Sequence, residues 1–246
     1  KGSKLTGISF LDDGNGTSYN GIYDGQEKVI EGNKVQLINP NGGHIINEAI
    51  TNGSGKFTLW IPHIYNNHAL LLKEVKNSTY LNVSGNVGTT TGIYSLINDN
   101  ILFTSTSGNT YTEIGFGNAF ISTFSPNGQQ QAIPGMSVFY QHTFTAGSEG
   151  TVEFTLNSSS SSDASTWSQI LYEDKNCNGT IEPDESQIEQ KYLEKGEKLC
   201  LIAKIFTPAQ ASYSELHTFT INAEFTLTGI SVENIFSVND VTEVGD

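Results

Sequence analysis

Residues 168–185 read "SQILYEDKNCNGTIEPDE", and two patterns meet in them. Asp174 opens a run of twelve residues in which oxygen-bearing side chains fall at positions one, three, five, nine and twelve, with Gly179 at position six. That spacing, D-x-[DN]-x-[DN]-G-x5-E, is the spacing of a calcium loop. The flanking segments, "SQILYE" before it and "KLCLIAKI" (198–205) after it, read as strands and not as helices. A calcium loop between strands places this chain among all-β proteins.

The same reading extends along the chain. Short apolar–polar runs such as "KLTGISFLDD", "NKVQLINP", "GKFTLWIP", "HALLLKEV" and "TYTEIGFGNAF" recur in the first half. Asn- and Gly-rich turns ("PNGG", "NGSG", "SGNVG") separate them, and these residues tolerate positive φ. No apolar period of 3.6 persists beyond two turns before residue 120, and "TTTGIYSLINDN" has room for one helical turn. The polar, proline-bearing "ISTFSPNGQQQAIPG" suggests a joint near residue 123. A second strand series follows it: "MSVFYQHTFTA", "GTVEFTLNS", "TWSQILYED", "KLCLIAKIF" and "HTFTINAEFTLTG". The expectation is two tandem β-sandwich domains of immunoglobulin- or prealbumin-like type, 1–122 and 123–246. Residues 158–165, "SSSSSDAS", are expected as a surface loop and the tail "SVNDVTEVGD" as frayed or as a joint to another module.

Composition narrows the function. With 12 basic and 26 acidic residues the net charge is −14, which repels phosphate backbones and anionic lipid. No apolar run approaches the roughly 18 residues of a membrane span. The opening "KGSKLTGISF" has no signal-peptide apolar core and the end has no anchor, so the chain is expected to be a soluble piece of something longer. Neither nucleic acid nor membrane insertion of this segment is expected.

In the loop after Tyr172, the side chains of Asp174, Asn176 and Asn178 are expected to ligate Ca²⁺, with the carbonyl of Thr180, Glu182 through water, and Glu185 with both oxygens. The set suits a hard ion that takes six to eight oxygens, and the crowded carboxylates are costly without one. The alternative is an acidic turn that stays in water. A second set lies at 12–27, "DDGNGTSYNGIYDGQE". Asp13, Asn15, Asn20, Asp24 and Glu27 match ligand positions, Gly21 matches the glycine, and Ile22 offers its carbonyl. In this reading "GTSY" makes the loop three residues longer than standard, with Asp12 as a spare ligand. One ion or two are therefore expected. The loops leave different strands of their modules and do not read as copies of one repeat. Cys177 and Cys200 either bridge, tethering the second loop to the strand after it, or remain thiols.

The motifs resemble known families. "ISFLDDGNGTSYNGIYDGQEKVIEGNKVQLIN" resembles the opening of the B-type repeats of serine-aspartate-repeat surface adhesins. "PGMSVFYQHTFTAGSEGTVEFTL", "WSQILYEDKNCNGTIEPDE" and "LEKGEKLCLIAKIFTPAQA" are similar to an immunoglobulin-like repeat of large prokaryotic surface proteins. The resemblances imply a secreted, cell-surface module pair that serves as spacer or adhesive unit. Its implied partners are calcium, neighbouring modules of a longer surface protein, and a host or neighbour-cell protein or glycan. Other B-type domains carry a Lys–Asn crosslink, which needs an inward lysine on the first strand; only Lys1 and Lys4 lie near it.

Nothing in the sequence reads as catalytic. His44, His63, His68, His142 and His217 are scattered, and no metalloprotease, G-x-S-x-G or phosphate-loop spacing occurs. The alternative function is a carbohydrate- or protein-binding module of a secreted protein, with Trp60, Tyr65, Tyr80 and Tyr94 as an aromatic platform if they share an exposed face. Trp167 is expected in the core.

Overall fold

The computed structural model describes residues 1–162 and 166–245, which divide into two compact units, Lys1–Ile121 and Ser122–Asp246. Both are all-β; the helical pieces among the described residues are the 3-10 turns His63–Tyr65 and Gly88–Thr90. No helix among them is long and apolar enough to cross a membrane.

The first unit contains β1 (Ser3–Leu11), β2 (Lys34–Ile38), β3 (Ile45–Ile50), β4 (Lys56–Ile61), β5 (Ala69–Glu74), β6 (Tyr80–Val87), β7 (Ile93–Ser95), β8 (Asn100–Thr104) and β9 (Thr110–Phe120). They form two sheets, ordered β4-β1-β9-β6 and β3-β2-β5-β8-β7. β1 and β9 run parallel, and the other pairs are antiparallel. Period-two alternation sends Leu5, Leu59 and Phe116 from one sheet against Val35, Leu72 and Ile101 from the other, and these form one core.

The second unit contains β10 (Thr123–Ser125), β11 (Gly128–Ala132), β12 (Ser137–Thr145), β13 (Gly150–Ser160), β14 (Ser168–Glu173), β15 (Gln190–Leu193), β16 (Lys198–Phe206), β17 (Leu216–Leu227) and β18 (Glu233–Val244). Its sheets are ordered β10-β12-β16-β14 and β11-β18-β17-β13-β15. Phe144 on β12 meets Phe225 on β17 across the sandwich, ring centroids 5.5 Å apart.

Three polar stretches differ from expectation. Residues 237–244 of the tail form the last part of β18, held between β17 and β11, and residue 246 lies outside the described residues. The supposed joint contributes β10 and β11, with a cis Ser125–Pro126 bond between them. Of the serine run, Ser158–Ser160 extend β13, and residues 163–165 lie outside the described residues. In each case ladder hydrogen bonds with a longer neighbouring strand outweigh weak strand propensity.

Each sandwich also buries a polar clamp. In the first unit Glu74 accepts from the amides of Asn33 (3.1 Å) and Asn118 (2.9 Å), which also reach Ser9. Tyr94 donates to Asp99 at 2.8 Å. Burial first, and then the charge of Glu74, push the Asp99 carboxyl up to about 8, and burial raises Glu74 as well. In the second unit His142 Nε2 lies 2.9 Å from Asp240 Oδ2, and its Nδ1 lies 2.8 Å from the Pro126 carbonyl. Both side chains are fully buried, so the pair bridges β12 and β18, and with them the two sheets, inside the sandwich.

Removing one member of a buried pair strands the other. Asp240→Ala is expected to cost the second unit about 3–5 kcal/mol. Urea unfolding followed through Trp167 fluorescence, in a Trp60→Phe background, checks it. The first unit should respond to pH. A carboxyl held above its ordinary value of 3.8 stabilises the fold below that pH, and the contribution is lost as pH rises through about 8. Calorimetric melts from pH 4 to 8 should therefore show the first unit weakening with pH, and less steeply in Asp99→Asn.

Candidate metal centres

Loop two follows β14, and its two end carboxylates are pinned by backbone. Asp174 is 4% exposed; its Oδ1 accepts the Asn178 N–H at 3.1 Å and its Oδ2 accepts the Gly179 N–H at 2.8 Å. Glu185 accepts the Lys175 N–H at 2.9 Å through one oxygen and the Glu182 N–H at 3.0 Å through the other. Between them, the Asn176 and Asn178 amides donate to the two oxygens of Glu182, at 2.8 and 3.0 Å. Asn178 Oδ1 accepts from the N–H of Thr180 at 2.8 Å. All six residues expected as ligands therefore belong to one small hydrogen-bonded ring. Gly179 has φ of +78°, the left-handed turn that position six demands.

Cys177 and Cys200 are bonded, with Cα atoms 5.4 Å apart and a sequence separation of 23. Cys200 lies on β16, so the bridge ties the loop to the outer side of its sheet. There Gly179 sits against Gln141, and a Cβ on it would fall 2.0 Å from Gln141 Nε2. Ile202, which points away from the core by alternation with Leu201 and Ala203, is fully buried beneath the loop.

Loop one is built on the same plan, with a different first residue from the one expected. Asp12, not Asp13, accepts the N–H of the position-six glycine: its Oδ2 accepts Gly21 N–H at 2.7 Å, and its Oδ1 accepts Tyr19 N–H at 3.0 Å. Ser84 Oγ also donates to Asp12. The rest coincides step by step. Asn20 Oδ1 accepts the Ile22 N–H at 2.7 Å, as Asn178 does for Thr180. Glu27 accepts the Asp24 N–H at 2.9 Å, as Glu185 does for Glu182. A β-bridge closes each loop at matching places, Phe10 with Val29 and Tyr172 with Gln187. Asp and Gly are nine residues apart in loop one and five in loop two, so the insertion is four residues. The two loops are thus one device used twice. Asp12 takes the first place because its N–H continues the ladder to the Asn118 carbonyl, as that of Asp174 does to Cys200. Asp13 is buried beside it, and Asn15 is exposed with φ of 61°.

Loop one also folds over the outside of its sheet. A Cβ on Gly115 would lie 2.0 Å from Gly21 O, and one on Gly21 would lie 2.5 Å from the Gly85 carbonyl carbon. Phe10, opposite in phase to Ser9, is fully buried there, with the Tyr23 ring edge-on at 5.6 Å.

These residues fit a hard cation. Asp12 is 0% exposed and its carboxyl is raised by burial. Glu27 is raised to about 7 by burial first, with the charges of Asp24 and Asp12 adding. Glu27 Oε1 is buried without a hydrogen-bond partner. Among the described residues no three His, Cys, Asp or Glu side chains are gathered as a metal group. In loop one the Glu27 carboxyl lies close enough to Asp12 and Asp24 for their charges to raise it, and in each loop asparagine oxygens and carbonyls complete the set.

Chain comparison adds a likeness of chain path. The structure is similar to BcpA, the major pilin subunit of Bacillus cereus, at 12% identity over 99% of this chain and 69% of that one, TM-score 0.47. It is similar to the major pilin SpaD from Corynebacterium diphtheriae at 10% identity over 98% and 65%, TM-score 0.39. GBS52, the minor pilin of Streptococcus agalactiae, matches at 11% identity over 99% and 96%, TM-score 0.38. No family model matches the sequence, and no curated protein matches it.

The remaining candidates are placed as follows. The inward positions of β1 hold Ser3, Leu5 and Ser9, while Lys4 reaches outward to Trp60, so β1 brings no crosslinking lysine inward. Trp60 is 59% exposed, whereas Tyr65, Tyr80 and Tyr94 are half-buried. Trp167 is half-buried and stacks on His217 at 4.4 Å, donating to Glu215 at 2.8 Å. His44 meets Tyr65 OH and His68 meets the Asn66 carbonyl, each within 2.9 Å.

The bridge has a direct test. Cys200→Ser is expected to lower the stability of the second unit by about 2–4 kcal/mol. Urea unfolding of the oxidised parent and the variant reads the difference.

Proposed function

We propose that this chain is a calcium-stiffened pair of structural modules from a bacterial surface protein, held outside the cell as a rigid spacer within a longer chain. The observation that carries the reading is the repeated loop. Twice, buried carboxylates pinned by backbone N–H groups frame a turn rich in side-chain and carbonyl oxygens, on the outside of a sandwich. A divalent ion there neutralises charges that the fold forces together, and fixes a loop that has no core of its own. Two ions would move the formal charge from −14 to −10, since each brings +2. The ion supplies charge neutralisation and oxygen coordination. Asp12, Asn20, Asp24 and Glu27 would hold it in the first unit, and Asp174, Asn176, Asn178, Glu182 and Glu185 in the second.

Calcium loops of extracellular modules bind at roughly 10⁻⁴–10⁻³ M, so such sites fill outside a cell and empty within it. That makes rigidity a consequence of export. The neighbours of such a spacer are further modules of the same surface protein.

Melts in EDTA, in millimolar Ca²⁺ and in millimolar Mg²⁺ test the reading. At 100 times the dissociation constant each site should add about 2.7 kcal/mol, specific to Ca²⁺. Glu185→Ala should abolish the increment in the second unit. Asp12→Asn should weaken the increment in the first unit more than Asp13→Asn does. Three superimposed melts of the parent would sink the proposal.

A further inference from the structure

The outer face of β4-β1-β9 carries side chains that neither the core nor the loops use. On β4 the strict alternation leaves Lys56, Thr58 and Trp60 outward; on β1 it leaves Lys4, Thr6 and Ile8. The register sets them in rows, Trp60 beside Lys4, Thr58 beside Thr6 and Lys56 beside Ile8. Beside the last rows lies a groove of about 630 Å³. Ile22 and Tyr23 of loop one form one wall, Asn86 and Glu113 are on the far side, and Lys56 is on the near side. Gly7 and Gly115 also line the groove.

The geometry points to a binding site for an oligosaccharide bearing uronic-acid groups, laid along β1 from Trp60 to Tyr23. An indole 59% exposed on the outer side of β4 offers the apolar face on which a sugar ring stacks. The lysine beside it, with Nζ 5.7 Å from the ring centroid, is placed for a carboxylate on that ring. Thr6, Thr58, Asn86 and Glu113 offer hydrogen-bonding groups suited to hydroxyls. Lys4 and Lys56 are two of only 12 basic residues in a chain of net charge −14. They stand at the two ends of the β1–β4 rows, against the single carboxylate of Glu113, and this positive balance favours an acidic ligand over a neutral one. Trp60 and Lys56 are four residues apart on one strand, a span of roughly 13 Å, which accommodates a short chain of rings. A peptide is less suited: β1, along which the ligand would lie, has its backbone groups committed to ladders with β4 and β9, which leaves side chains to do the recognising.

One wall of the groove belongs to loop one, so Ca²⁺ is held at 1 mM throughout the test to keep that loop in one state. Titration calorimetry of the whole chain with a hyaluronan hexasaccharide should show binding that weakens with salt. Trp60→Ala and Lys56→Gln should each weaken it at least tenfold while leaving the melt unchanged, since both side chains are exposed. Maltohexaose, neutral and of similar length, should bind at least tenfold more weakly. No heat with the hexasaccharide, or equal affinity in the two variants, would overturn the proposal. Equal affinity for maltohexaose would remove its acidic component. Equal, variant-sensitive binding of hexaglutamate would assign the face to acidic peptides instead.

Discussion

A buried aspartate carboxylate that accepts the N–H of a glycine in a left-handed turn is the interaction on which both loops depend. It fixes where the turn falls, and the glycine is required twice over. The backbone has positive φ there, and the residue lies directly on the sheet, on Gly85 and Gly115 in one unit and on Gln141 in the other. Once the turn lies on the sheet, a second consequence follows. A side chain that strand alternation sends away from the core becomes buried: Phe10 under loop one and Ile202 under loop two. Each sandwich thus gains a small extra apolar contact on its outer side, and the acidic loop is drawn down onto it.

The two units hold that position differently. Loop two is short and is secured by the Cys177–Cys200 bridge to β16. Loop one has four more residues between Asp12 and Gly21 than its counterpart has between Asp174 and Gly179, and it has no bridge. It relies on close backbone approach at glycines and on the Ser84 hydroxyl. Extra loop length costs little closure entropy, since the cost grows only logarithmically, so an insertion of this size leaves the plan intact. What the insertion did alter was the apparent register in sequence, because Asp12 and Asp13 are adjacent and both acidic.

That ambiguity marks where sequence reading stops. The strongly alternating strands, "KFTLWI" or "SVFYQHTFT" among them, were legible because hydrophobic period is a local signal. The loop from Asp174 was legible because it has the standard length. β11, "GQQQA", and the end of β18 were not, since they are strands only by virtue of pairing with each other and with β17. Asp12 was passed over because its claim rests on a hydrogen bond nine residues along the chain. The His142–Asp240 clamp left even less trace: the residues are 98 apart, and only the inward phase of His142 within β12 hinted at burial. Repetition of the loop device was hidden for a related reason. The two loops leave strands of different rank in their units, and their likeness is in hydrogen bonds rather than in spacing.

Charge separates the effect of dissolved salt on the loops from that of the proposed bound ion. At physiological ionic strength mobile ions screen exposed charges over about 8 Å, which tempers most of the surface of this acidic chain. Asp12 is fully buried and Asp174 and Glu185 nearly so, and mobile ions do not reach buried groups. Backbone N–H groups offset part of their charge by donating to them, as at Gly21 and Gly179. The remainder, including the buried Glu27 Oε1, is met only by something that enters the loop and stays: a proton or a coordinated cation. A proton neutralises one carboxyl and leaves the others in repulsion. The proposed divalent ion would answer several at once and would tie the first and last residues of the loop together, a role open to the same arrangement of Asp, Gly and Glu on two different strands.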